Sequence, residues 1–233
     1  MSENNDVELE DIKGVGGKTA EKLRDAGYEE LMSIATMSSG ELAEVADIGD
    51  KKAQSIITES RKHLDIGFES GKDRFDQRKE MKRITTSSSN FDEVVGGGIE
   101  TQCITEVYGE YGSAKTQLSH QLAVNVQMPE EKGGLDREAI YIDTEDTFTP
   151  TRIEQMAEAK DMDVDEVLEN IHVARAFNSD HQMLLTDQAQ EICQNNDIGL
   201  IVVDSLTAQF RSDYVGRGEL APRQQKLNKH MTT

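Results

Sequence analysis

A chain of 233 residues has room for one or two domains and a sizeable core. Hydrophobic residues make up 36% with no tryptophan, so that core is aliphatic, and 45 acids against 25 bases leave a net charge of −20. Taken alone, this charge argues against a DNA-binding protein through long-range repulsion; as a solvated surface suited to high salt, where screening acts over a few ångströms, it says little about partners.

The N-terminal MSENNDVELED lacks the apolar stretch of a secretion signal, and no segment approaches the ~20 apolar residues of a membrane span. A cytoplasmic protein without membrane contact is expected. Residues 6–64 then repeat at an offset of 33: Gly16 aligns with Gly49, Ala20 with Ala53 and Leu23 with Ile56. Each copy reads as a glycine turn followed by a helix, and such turns free backbone N–H groups to meet a phosphate. The pattern resembles a helix-hairpin-helix pair, which grips nucleic-acid backbone without reading sequence, with Gly14 and Gly16 at the first turn. Asp47 stands where the first copy has Gly14, which marks the second hairpin as scaffold. The competing expectation is a small helical protein-binding or structural domain, since the chain through Leu64 carries 14 acids and 8 bases.

Residues 65–83 change character. A turn-like stretch through Gly71 precedes the densely charged Asp73–Arg83, as expected of a solvent-exposed linker helix. Phe68 lies there in polar company, as an anchor on its own domain or a plug for a pocket on another chain. Thr85–Ser89 reads as a loop, and Gly96–Gly98 marks a tight turn. Cys103, Ile104, Thr105 and Val107 predict a strand running into Gly109. Leu118, Leu122 and Val126 recur at helical spacing beyond it. Between them Gly109-Glu110-Tyr111-Gly112-Ser113-Ala114-Lys115-Thr116 has the form of a phosphate-cradling loop. Glycines let backbone N–H groups converge on phosphate oxygens, Lys115 reaches the β- and γ-phosphates, and the Thr116 hydroxyl holds Mg2+. Ala114 stands where the second glycine of that pattern belongs.

Ala139–Asp143 predicts a strand leading into Thr144, Glu145 and Asp146. An amphipathic helix over Thr151–Glu169, a strand over Ile171–Ala176 and a helix over His181–Asn195 follow. Leu200–Asp204 is a continuous apolar run, expected to be a parallel strand buried on both faces and ending in a carboxylate. Nucleotide-binding α/β domains place a Mg2+-holding acid at such a strand end. Any one of these acids alone reads first as an ordinary loop carboxylate; three strand-end features in order point to a nucleotide site. Cys103 and Cys193 lie far apart in elements expected in the core, and no CxxC or Cys/His cluster occurs, so no thiolate metal site is expected. Arg211–Lys229 carries five bases and two acids. This net positive segment suits phosphate neutralisation or forms the solvated face of an amphipathic helix.

Across nearly the whole chain these residues resemble the archaeal RadA recombinases, RecA-type ATPases that pair homologous DNA. The resemblance is carried by VGGGIETQ (Val95–Gln102), ITEVYGEYGS (Ile104–Ser113), IDTEDTF (Ile142–Phe148), VVDSLTAQFR (Val202–Arg211) and YVGRGELAPRQQKLNKHM (Tyr214–Met231). It implies an α/β fold: a RecA-like P-loop core with a mostly parallel sheet over residues 84–233, a linker with a polymerisation motif over 65–83, and a small all-α helix-hairpin-helix domain over 1–64. It implies ATP and Mg2+ as cofactors, with Gly109 to Thr116 on the nucleotide, Thr116 and Asp204 on the metal, and Lys115 and Glu145 as catalytic residues. Arg211, Arg217 and Arg223 are expected on single-stranded DNA, and Phe68 with Gly71 is expected to plug a neighbouring core in a filament. Partners would be single- and double-stranded DNA, further copies of the chain and recombination mediator proteins, at the nucleoid.

The chain departs from that pattern at Ala114 and at Thr149, where the family generally has arginine. It also stops at Thr233, whereas the family's core continues through further strands, a second DNA-binding loop and a segment that caps ATP. A C-terminally truncated core with an open sheet edge is therefore expected. Two function classes stand side by side: a DNA-dependent ATPase that promotes strand exchange, and a non-catalytic or truncated paralogue acting as an assembly or DNA-binding module. Lys115 and the acids favour the first; Ala114 and the ending at Thr233 favour the second.

Overall fold

In the computed structural model the described residues are 8–28, 30–64 and 68–232. The chain forms two compact units, Met1–Gln77 and Arg78–Thr233. In the first, the sequence repeat becomes a repeat of helices. Helix α1 spans Gly17–Asp25, α2 Leu31–Thr36, α3 Ser39–Ala46 and α4 Asp50–His63. Gly16 and Gly49 sit at equivalent N-cap positions, and Ala20, Leu23, Ala53 and Ile56 are all fully buried in one apolar cluster. Helix α3 packs against both α1 and α4, so the two copies share a core. Gly14 has a φ of +103°, and a Cβ there would lie 3.3 Å from Ile56 Cγ1, so the turn before α1 calls for glycine. Its counterpart Asp47 is left-handed at φ +51° and closes the C-terminus of α3, its carboxylate 3.0 Å from Lys22 Nζ. Helix α5, Gly71–Lys79, buries no residue, as its charge density demands.

The second unit opens with a short antiparallel pair, β1 (Arg83–Ile84) and β2 (Ile99–Glu100), separated by α6 (Ser89–Val94). Helix α7 spans Lys115–Asn125, β3 Glu138–Asp143, α8 Pro150–Glu158, α9 Val164–Glu169 and β4 Ile171–Arg175. Helix α10 spans Ser179–Asn195, β5 Ile198–Asp204, α11 Ala208–Asp213 and α12 Leu220–Met231. The strands form a parallel sheet in the order β4-β3-β5. The period of two sorts β3 onto two cores. Ala139 and Tyr141 pack with Leu122, Ile153, Met156 and Ala157 of α7 and α8, while Ile140 and Ile142 pack with Ala189, Leu185 and Ile192 of α10.

Four expectations are corrected. The chain from Cys103 to Val107 forms no strand; Ile104 and Val107 are exposed, because no sheet edge among the described residues offers them a ladder. Strand β5 is not buried on both faces: Ile201 is 47% exposed, since among the described residues no element covers its face there. The helix expected over Thr151–Glu169 is two helices. Asp161 turns left-handed at φ +55°, and Asp163 starts α9 by accepting from Glu166 N–H at 3.0 Å. Finally, Cys103 is exposed and Cys193 only half-buried, the first following from the missing strand.

Candidate nucleotide-binding site

The loop from Gly109 to Ala114 leads directly into α7. A Cβ on Gly109 would sit 2.7 Å from Ser113 Oγ and force that hydroxyl to turn, and Gly112 has a φ of +80°. Ala114 is the N-cap residue at φ +68°, ψ 21°, a left-handed conformation that costs an L-residue other than glycine about 1 kcal/mol. The N–H groups of Tyr111, Gly112 and Ala114 make no backbone hydrogen bond among the described residues. Those of the first helical turn have no intrahelical acceptor. Together they form a set of donors with the positive end of the α7 dipole behind it, an arrangement suited to anions. Lys115 Nζ lies over the same loop, donating to Gly109 O at 3.0 Å and Glu110 O at 2.9 Å.

The parallel register brings Asp143 and Asp204 side by side at the C-terminal ends of β3 and β5. Asp143 is 3% exposed and accepts from the N–H groups of Glu145 (3.1 Å), Thr147 (2.9 Å) and Phe148 (2.9 Å). Its charge shapes the loop that carries Glu145. Asp204 is held at the other strand end: its Oδ2 accepts from the Tyr141 hydroxyl at 2.9 Å, and its carbonyl accepts from Thr144 N–H at 2.8 Å. Ser205 Oγ donates to Glu145 Oε1 at 2.8 Å, which ties Glu145 to the end of β5. Asp146 turns away to pair with Arg175 at 2.9 Å. Helix α7 packs on β3 and β5, and His120 joins the loops by contacting Thr116 O at 2.6 Å through Nδ1 while its Nε2 accepts from Thr149 N–H at 3.0 Å.

Lys115, Thr116, Glu145 and Asp204 are thereby linked in one region of the second unit. The arginines lie on its last elements: Arg211 on α11, Arg217 in the 3-10 turn Arg217–Glu219 and Arg223 on α12. Arg211 and Arg223 line one cavity of about 180 Å³ with Phe210 and Leu227, and Arg217 is not part of its lining. Lys226 leaves the basic surface to pair with Asp180 at 2.8 Å. Fully buried Phe210 stacks on His230, with centroids 5.5 Å apart, and joins α11 to α12; burial holds the His230 pKa below the usual 6.5. Gly14 and Gly16 belong to the first unit, as do Phe68, fully exposed, and Gly71, the first residue of α5. No helix among the described residues is long and apolar enough to cross a membrane.

Sequence reasoning passed over His120, Tyr141 and Ser205. A signal existed for each: His120 follows Thr116 by one helical turn, Tyr141 shares a strand face with Asp143, and Ser205 follows Asp204.

Comparison with known proteins agrees with this architecture. The family described as Rad51 matches residues 77–233, and the SAM-like helix-hairpin-helix tandem matches residues 6–62. The DNA repair and recombination protein RadA of Methanoculleus marisnigri is 55% identical over 237 aligned residues, covering 97% of this chain and 73% of the relative. The protein of the same name from Methanocorpusculum labreanum is 50% identical over 241 residues, with the same coverage of each chain. With its family match spanning the parallel sheet, the Gly109–Ala114 loop and the strand-end acids, this chain belongs to the Rad51 family.

Proposed function

We propose that this chain is an ATP-dependent DNA recombination and repair protein that binds single-stranded DNA, assembles into filaments and promotes homologous pairing and strand exchange. The observation that carries the reading is that the helix entered from the Gly109–Ala114 loop packs on β3 and β5, at whose C-terminal ends Glu145 and Asp204 lie, in a chain similar to proteins named for DNA repair and recombination.

In this reading the amides of the loop and the Lys115 ammonium hold the ATP phosphates, and Glu145, steadied by Ser205, orients the attacking water. The donor set fits Mg2+. No group of three or more His, Cys, Asp or Glu among the described residues could hold a metal alone. The Thr116 hydroxyl and Asp204 Oδ1, both hard oxygens, have no described partner, the pattern of a cation shared between protein and substrate phosphates. Held by Thr116 and Asp204, Mg2+ would supply charge neutralisation at the phosphate oxygens. Arg211, Arg217 and Arg223 neutralise the backbone of single-stranded DNA, and the Gly14–Gly16 hairpin grips a DNA backbone as well. Phe68, with Gly71 beside it, plugs the core of the next copy in the filament. Residues 1–64, 65–83 and 84–233 act as DNA-binding domain, polymerising linker and ATPase core, at the nucleoid, where recombination mediator proteins are further partners.

The test is binding of a fluorescent ATP analogue in the presence of Mg2+. Lys115→Ala is expected to weaken it at least about tenfold, the equivalent of ~1.4 kcal/mol of phosphate contact; parental affinity in that variant contradicts the assignment. Glu145→Gln is expected to bind ATP without releasing phosphate. The left-handed Ala114 favours a second reading, an assembly module without turnover. ATP and DNA binding with no phosphate release from the parent chain would decide for it.

A further inference from the structure

Beneath the strand-end acids lies a buried aromatic cluster. The His120 and Tyr141 rings have centroids 5.3 Å apart, His120 and Phe148 also 5.3 Å, and Tyr141 and Phe148 5.0 Å. His120 and Tyr141 are both fully buried, and each polar atom of their side chains has a hydrogen-bond partner. Nδ1 of His120 donates to Thr116 O at 2.6 Å, which leaves Nε2 to accept from Thr149 N–H at 3.0 Å. The Tyr141 hydroxyl donates to Asp204 Oδ2 at 2.9 Å. The other oxygen of Asp204, Oδ1, has no described partner.

We propose that Tyr141 is a positioning residue for the magnesium acid: its hydroxyl locks the Asp204 carboxylate so that Oδ1 faces the ion, while His120 holds Thr116 in register through the same cluster. The inference rests on Asp204 and Thr116 being the ion's protein ligands. A carboxylate at a strand end rotates freely about its last bond unless one oxygen is held. A fixed donor on Oδ2 removes that freedom before the ion arrives, which is how outer-layer hydrogen bonds raise metal affinity. A tyrosine placed only to fill the core would need a hydrogen-bond partner too, but the choice of partner would have no consequence for the metal.

The test uses the full chain and a fluorescent ATP analogue, titrated with Mg2+ and, separately, with EDTA present. Tyr141→Phe keeps the ring and deletes only the hydroxyl. The Mg2+ concentration at half-saturation is expected to rise about tenfold or more, with nucleotide affinity in EDTA as in the parent. His120→Phe, which keeps a ring and deletes both ring nitrogens, is the second variant and is expected to shift the midpoint in the same direction. A packing role alone would move both arms of the titration or neither. A parental Mg2+ midpoint in Tyr141→Phe overturns the proposal whatever the second variant does; if Asp204→Ala meanwhile loses its Mg2+ dependence, the ligand assignment still stands. An Asp204→Ala variant with parental Mg2+ dependence overturns both.

Discussion

Ala114 departs from the phosphate-loop pattern, and its backbone says what the departure costs. At φ +68° the methyl group sits in the region where Cβ crowds the carbonyl that follows it. Glycine would relieve about 1 kcal/mol of that strain, of which a part returns as added freedom of the unfolded chain. Ala114→Gly is therefore expected to raise the melting temperature by up to about 3 °C and to bind ATP at least as tightly as the parent. Calorimetry with and without nucleotide checks this, and a lower melting temperature would mean that the methyl makes contacts worth more than the strain. Asp143 shows the opposite lesson. Its strand-end position suggested nucleotide chemistry, yet three backbone N–H groups occupy its oxygens and assign it to the shape of the loop.

At the scale of elements, legibility followed locality. The two glycine-turn helices of the first unit and strand β3 were readable because period, glycine placement and burial agree within each segment. The break between α8 and α9 was also written locally: Asp163 followed three residues later by Glu166 is a helix-start signal that the longer amphipathic period concealed. The segment Cys103–Val107 was not readable from its own residues, because apolar β-branched composition makes a strand only where a neighbouring edge accepts its hydrogen bonds. The same holds for Ile201, whose exposure is set by what covers β5 rather than by the β5 sequence. Phe68 is fully exposed, as the proposed plug between copies requires. Burying it between copies would contribute about 2–3 kcal/mol, enough to shift an assembly constant more than tenfold. Sedimentation velocity of Phe68→Ala is expected to show smaller species than the parent at equal concentration, and coincident profiles would remove Phe68 from assembly.

For the molecule as a whole, a net charge of −20 and a proposed DNA interface are compatible only if positive charge is segregated. The structure places Arg211 and Arg223 on one cavity and puts Arg217 in the turn between their helices. Long-range repulsion from the acidic surface is screened at moderate salt, whereas contacts to individual phosphates remain. The proposed function, ATP-dependent and acting on single-stranded DNA, requires this surface to bind DNA more tightly when the nucleotide loop is occupied. Its most direct test is fluorescence anisotropy of a labelled oligo-dT strand across a salt series, with and without Mg2+ and ATP. The account predicts tighter binding with ATP, loss of that gain in Lys115→Ala, and a log–log salt slope reduced by about 2 when Arg211, Arg217 and Arg223 are all replaced by alanine. An affinity indifferent to ATP, or a salt slope unchanged by the triple substitution, would contradict it.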